Sequence, residues 1–285
     1  MARYLSSRLI FYIKRFHQDL TILHLSSQTN YPQSVSGDFQ VFWGGPDRPQ
    51  RFLRDILEER VDAVPSGGEI LWVTYYFRDE ALAAALLRAS DRGVRVRVVM
   101  EGNPRTGDIN KHVAELLKGS DNSGSGVRAV KHYLPNNRFL RRCRLHEKIY
   151  YFSHPVSSAL VGSFNPSGNQ PEDPTVIKKI GDQDRGHNVL VDIRDPALVN
   201  ALYDHVERLF SGCHGPWERF LTTNNRVISS GKSRLLFFPR SQWPPFDSLF
   251  NTLIKGSRLR MAVSHLNDRK MCQRLFRLSS QGVTV

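Results

Sequence analysis

The stretch Gly67–Met100, "GGEILWVTYYFRDEALAAALLRASDRGVRVRVVM", decides the fold. Its first third, Gly67 to Phe77, is rich in β-branched and aromatic residues and reads as a buried strand. The period then changes. In "RDEALAAALLRASDRG", Leu82, Ala85, Leu86 and Ala89 recur on one helical face, and Gly93 stands where such a helix ends. Val94 to Met100 returns to strand character, so the stretch is a βαβ unit and predicts an α/β domain.

The same grammar returns near the C-terminus. "SRLRMAVSHLNDRKMCQRLFRLSSQGVTV" lies on "GEILWVTYYFRDEALAAALLRASDRGVRV" without a gap: Gly282 falls on Gly93, a shift of 282 − 93 = 189, and Asp268 falls on Asp79 by the same shift. Ile70 then meets Leu259, Trp72 meets Met261, Phe77 meets Leu266, Leu82 meets Met271 and Leu86 meets Leu275. The expectation is a duplicated lobe with an incomplete second copy. The domains expected are a basic amphipathic segment at 1–38, a first lobe at 39–210, a Gly-, Asn- and Ser-rich linker at 211–233 and a partial second lobe at 234–285.

Composition narrows the partners. Forty Lys and Arg against 27 Asp and Glu give a formal charge of +13, which suits polyanions: nucleic acid, an anionic phospholipid surface or a phosphorylated substrate. The apolar fraction of 40% is that of a folded domain, and no apolar run is long enough for a spanning helix. Cys143, Cys213 and Cys272 form no C-x-x-C pair and indicate neither a zinc site nor a disulfide framework. At the N-terminus, Leu5, Leu9, Ile13, Phe16 and Leu20 recur at helical spacing among Arg3, Arg8, Lys14 and Arg15, which predicts a basic amphipathic helix able to lie on an anionic membrane or to act as a targeting peptide. The localisation expected is cytoplasmic or peripheral to a membrane.

The chemistry concentrates in "RLHEKIYYFSHPVSSALVGSFN", Arg144 to Asn165. On a strand, His146 and Lys148 project to one face while Leu145, Glu147 and Ile149 take the other. Ser163 and Asn165 share a face at the end of the next apolar run. An imidazole near neutral pH beside an ammonium and an amide is a set suited to a phosphodiester, with a nucleophile and donors for the charge that builds on the oxygens. Arg138, Arg141, Arg142 and Arg144 add a field that draws anions inward.

These residues resemble the signature of the phospholipase D superfamily, H-x-K-x(4)-D followed by a Gly-Gly or Gly-Ser-x-Asn turn, over about Phe39 to Phe210 and again through the partial repeat. The resemblance implies a mixed β-sheet flanked by helices, with His146 as the nucleophile of a phosphohistidine intermediate and Lys148 and Asn165, with Ser163 beside them, binding the phosphoryl group. It implies no cofactor and a metal-independent reaction. Two departures stand out. Ser153 occupies the aspartate position, and where the family often has an orienting acid the sequence reads "GDQDRGHNVLVDI", which offers Asp182, Asp184 and His187. His154, His205 and His265 have no partnering pattern and read as surface or structural.

The family joins two motifs at one site, the second histidine protonating the leaving group. Only one His-x-Lys is present, so the sequence reads as a fragment of a two-lobed enzyme, or else as a lobe that pairs in a homodimer. The leading expectation is a phosphodiesterase or phosphatidyltransferase acting on phospholipids. A nuclease on the same scaffold is the enzymatic alternative, and a catalytically silent phosphate-binding scaffold is the alternative from another class, favoured by Ser153 and the single motif. A metal-dependent hydrolase finds no clustered ligands in the sequence.

Overall fold

The computed structural model describes residues 9–12, 21–24, 38–45, 48–49, 51–104, 108–118, 128–133, 145–167, 187–212, 220–238, 240–241, 250–262, 266 and 268–285. The chain divides into two compact units, Gln33–Pro216 and Met1–Pro32 with Trp217–Val285.

In Gln33–Pro216 a seven-stranded mixed sheet runs in the order β3 (Phe39–Trp43), β9 (Val189–Ile193), β8 (Ser158–Gly162), β7 (Ile149–Phe152), β4 (Glu69–Thr74), β5 (Arg95–Glu101) and β6 (Arg128–Tyr133). β4, β5 and β6 are parallel; β7, β8, β9 and β3 extend the sheet antiparallel from the other side of β4. The expected βαβ unit is β4, α2 (Glu80–Asp91) and β5. Asp79 caps α2 by accepting the Leu82 N–H at 2.8 Å, and Gly93 takes φ 90° just beyond its end, where a side chain would be strained. With α1 (Phe52–Asp62) and α3 (Lys111–Leu117), α2 covers one face of the sheet, packing Leu53, Leu57, Leu82, Leu86 and Val113 on Ile70, Trp72, Val98, Tyr150 and Phe152. Alternation along the strands sends Leu71, Val73, Ile149 and Tyr151 to the other face, where α4 (Pro196–Phe210) lies, its Tyr203 ring 5.0 Å from that of Tyr151. A sheet buried on both sides explains the unbroken apolar strands "EILWVT" and "SALVG".

In the second unit β1 (Leu9–Tyr12) pairs antiparallel with β2 (Thr21–His24) and parallel with β11 (Ser233–Leu236). β10 (Ile228–Ser230) flanks β11, and β12 (Arg260–Ala262) flanks β2. The N-terminal helix expectation is therefore corrected at Leu9–Tyr12, which is a strand: "LIFY" is β-branched and aromatic, and a ladder on each side outweighs a helical period of a few apolar residues. A short helix, α5 (Thr222–Asn225), precedes β10, so both elements fall within the stretch read as a linker.

Hydrogen bonds recur at the spacing of 282 − 93 = 189 residues seen in the sequence. Gly67 donates to the Gly93 carbonyl at 3.0 Å and Gly256 to that of Gly282 at 2.9 Å; Arg95 donates to Gly68, and Thr284 to Ser257, both at 2.9 Å. Asp268 caps α6 (Arg269–Ser280) through the Met271 N–H at 2.8 Å, as Asp79 caps α2. The parallel pair Glu69 with Arg95 has its counterpart in Arg258 with Thr284.

Candidate functional site

The motif residues gather at one end of the sheet of Gln33–Pro216, where β4, β5 and β8 finish and β7 begins. Carboxyl ends of parallel strands leave such a crevice because the chain turns away from the sheet there. Residues 145–148 precede the strand: β7 starts at Ile149, and His146 and Lys148 lie in the approach to it, a correction to their placement within the strand. Ladder pairing is already thin there, with the Gly162 N–H on the Lys148 carbonyl at 3.2 Å. Alternation nonetheless holds. The His146 ring lies 4.8 Å from the Tyr75 ring and the Lys148 ammonium 5.5 Å over that same ring, whereas Glu147 reaches the opposite way to His205.

Tyr75 thus faces both groups. It is buried, its ring 4.3 Å from that of Tyr76, and its aromatic face attracts the ammonium through the ring quadrupole. Lys148 is 3% exposed and donates to the His146 carbonyl at 2.9 Å, which fixes the direction of its charge.

The Gly-Ser-x-Asn turn docks against the β4–α2 loop. Gly162 is required by close approach, since a Cβ would stand 1.8 Å from the Val189 carbonyl oxygen. Beyond it, Ser163 donates its N–H to the Val189 carbonyl, accepts the Val189 N–H on its hydroxyl oxygen at 3.1 Å and meets the Asn188 side chain, so Ser163 serves the β8–β9 junction. Asn165 turns back and accepts the Tyr76 N–H on Oδ1 at 3.2 Å, which makes Nδ2 its outward donor end. Pro166 accepts the N–H groups of both Arg78 and Asp79. Tyr150 closes the turn from below, donating to the Phe164 carbonyl at 2.7 Å; burial pushes its phenol well above the usual range, keeping it a neutral donor.

Several residues that hold this arrangement escaped the sequence reading. Glu101, fully buried at the end of β5, accepts the N–H of Leu145 at 2.5 Å and that of Asn103 at 2.9 Å. Asn110 accepts the Phe77 N–H and donates to the carbonyls of Tyr75 and Glu101, tying the ends of β4 and β5. His205 is buried and bonded to Glu147 at 2.7 Å. A buried carboxylate or amide is not visible in a strand pattern; the signal available was that Glu101 ends an apolar run and Glu147 takes the face opposite His146 and Lys148, and buried acids need partners.

Ser153 accepts the Glu69 N–H at 2.7 Å and donates its own N–H to the Glu69 carbonyl, pinning the far end of β7 to β4. His154 touches the Ser153 hydroxyl at 2.8 Å, and His187 is exposed before β9. Asp182, Asp184, His265 and the arginines Arg138, Arg141, Arg142 and Arg144 lie outside the described residues. Near the turn, Arg78 is half-buried, and that burial lowers its pKa, opposed by Tyr76; the guanidinium stays cationic at neutral pH. Among the described residues no group of three or more His, Cys, Asp or Glu side chains stands together to hold a metal, and no helix is long and apolar enough to cross a membrane.

Comparison with known proteins bears on this geometry. Residues 66–173, which contain His146, Lys148, Ser163 and Asn165, match the family described as the phospholipase D-like domain of cardiolipin synthase. No curated protein matches the chain. Among solved structures, Nuc, a phospholipase D family member from Salmonella typhimurium, is 20% identical over 60% of this chain and 93% of its own, with a TM-score of 0.41. NucT from Helicobacter pylori is 15% identical over 62% of this chain and 99% of its own, at 0.44. Polyphosphate kinase from Porphyromonas gingivalis is 15% identical over 64% of this chain and 23% of its own, at 0.41. Residues 66–173 are thus a phospholipase D-like domain.

Proposed function

We propose that the protein is a phosphodiester hydrolase or transferase that works through a phosphohistidine on His146, with phospholipid as its substrate class. The observation that carries this reading is the common orientation of the His146 ring and the Lys148 ammonium toward Tyr75, at 4.8 and 5.5 Å, with Asn165 tied to the neighbouring Tyr76. A ring nitrogen of His146 attacks phosphorus, a nitrogen–phosphorus bond forms, and the bond to the leaving alcohol breaks with its electron pair going to that oxygen. Lys148 and the Asn165 amide hold the non-bridging oxygens as their charge grows. Water or a second alcohol then attacks phosphorus, its proton passes to a base, and the electron pair of the broken nitrogen–phosphorus bond returns to the imidazole.

An alkoxide leaving group needs a proton. The second histidine motif that would give it comes from another lobe, in the same protein or in a second copy. We propose residues 234–285 as part of such a lobe, a reading supported by the capping Asp268 and the recurring hydrogen bonds. Phospholipid is favoured over nucleic acid by the cardiolipin synthase description of the matching family.

The test is to incubate the protein with radiolabelled phosphatidylglycerol vesicles, and in parallel with a labelled oligonucleotide, quench in alkali and look for acid-labile label on the protein. Label from vesicles that disappears in His146→Ala is the expected result. Label from the oligonucleotide alone would replace lipid by nucleic acid, and binding without label or turnover would leave a silent phosphate-binding scaffold.

A further inference from the structure

On the far side of the segment that carries His146 and Lys148 stands a chain of three charged or titratable groups, two of them buried and the third half-buried. Glu147 is 4% exposed and His205, on α4, is 1% exposed; Nε2 of His205 lies 2.7 Å from Oε2 of Glu147, and Arg208, one turn further along α4, places Nη2 3.0 Å from Nδ1 of His205. The chemistry of the donors fixes the protons. A guanidinium has only donors, so Nδ1 accepts; the single proton of the neutral imidazole is then on Nε2, which donates to the Glu147 carboxylate. The cation of Arg208 and the anion of Glu147 balance across a neutral ring.

The position of this chain gives it a consequence. Residues 145–148 precede β7 and have little ladder pairing to set their rotation about the chain axis. In an extended segment neighbouring side chains take opposite faces, so anchoring Glu147 to α4 turns His146 and Lys148 toward Tyr75. We infer that Arg208, His205 and Glu147 form a positioning relay, with His205 locked as the Nε2–H tautomer, that aims His146 and Lys148 at the substrate phosphorus. The inference rests on the phosphodiesterase reading for its kinetic consequence and on the hydrogen bonds alone for the tautomer.

Two measurements test it. Nitrogen-15 NMR of the histidine-labelled full chain should show His205 neutral, protonated at Nε2, and Arg208→Met should shift both the His205 and the His146 ring signals. Bis(p-nitrophenyl) phosphate releases a phenolate that leaves without a proton donor, so attack on it does not need the second histidine. There His205→Leu should lower kcat about 10- to 100-fold, as expected for a misplaced reacting group, with KM changed less than about threefold. His205→Gln, which keeps an N–H for Glu147, should recover most of the loss. If His205→Leu does not fold, Arg208→Met carries the kinetic comparison, with the same split between kcat and KM. A protonated or Nδ1–H His205, an unmoved His146 signal, or kcat unchanged in a folded variant overturns the relay. Wild-type protein without turnover, but with the Nε2–H tautomer and a shifted His146 signal in Arg208→Met, overturns the phosphodiesterase reading and upholds the relay.

Discussion

The Cα of Gly162 lies so close to the Val189 carbonyl that a Cβ on it would stand 1.8 Å from the oxygen. The glycine of the Gly-Ser-x-Asn turn is thus a condition for β8 and β9 to meet, and the turn that presents Asn165 begins from that contact. Gly162→Ala must push β9 backbone aside, and we expect a loss of about 3 to 5 kcal/mol, in the tail of single substitutions. Urea unfolding measures it; a loss below about 1 kcal/mol would mean the two strands separate easily.

Ser153, where the family signature has aspartate, makes its 2.7 Å hydrogen bond to the Glu69 N–H at the opposite end of β7 from His146. Ser153→Ala should therefore cost about 1 kcal/mol of stability, one half-buried hydrogen bond, and leave diester turnover within about threefold of wild type. A fall of a hundredfold in turnover would place this position in the chemistry.

Tyr75 offers one ring to both His146 and Lys148. Removing the ring with Tyr75→Leu deprives the buried ammonium of a cation–π contact worth about 1 to 2 kcal/mol, and kcat should fall by about tenfold. Tyr75→Phe keeps the ring and should lose less than the leucine variant; the reverse order would show that the hydroxyl, not the ring, matters.

Burial alone would raise the Glu58 pKa, but the hydrogen bond at 2.5 Å and the charge of Arg54, with help from Arg88, outweigh it and hold Glu58 below the ordinary carboxylate range. A depressed folded pKa gives stability that is present above the unfolded value and is lost as pH falls through the folded one. Unfolding midpoints measured from about pH 6 to about pH 3 should therefore drop on the acid side, and Glu58→Gln should flatten part of that drop. An identical pH slope in wild type and variant would remove Glu58 from the balance.

Much of this was legible in the sequence. Asp79, Gly93 and the helical period of Leu82 and Leu86 marked the βαβ unit, because caps, turns and periods are local properties of the chain. The spacing of His146 and Lys148 correctly put both on one face, since alternation follows from extended backbone whether or not a ladder is formed. The N-terminal stretch was misread for the opposite reason. Nothing local in "LIFY" announces that β2 and β11 will flank it, and strand formation depends on partners supplied from elsewhere.

The order of residue types along the chain determined the α/β class, the motif and its facing, and the positions 189 residues apart where one capped helix echoes another, 268 − 79 = 189. The tertiary structure alone decided which buried groups meet: Glu101 with the Leu145 N–H, Asn110 between β4 and β5, and Glu147 with a histidine 205 − 147 = 58 residues away. A pattern of polar and apolar residues records which side of an element a group takes. It holds no distance across the sheet, and hydrogen bonds, which act only within about 3 Å, are set by that distance.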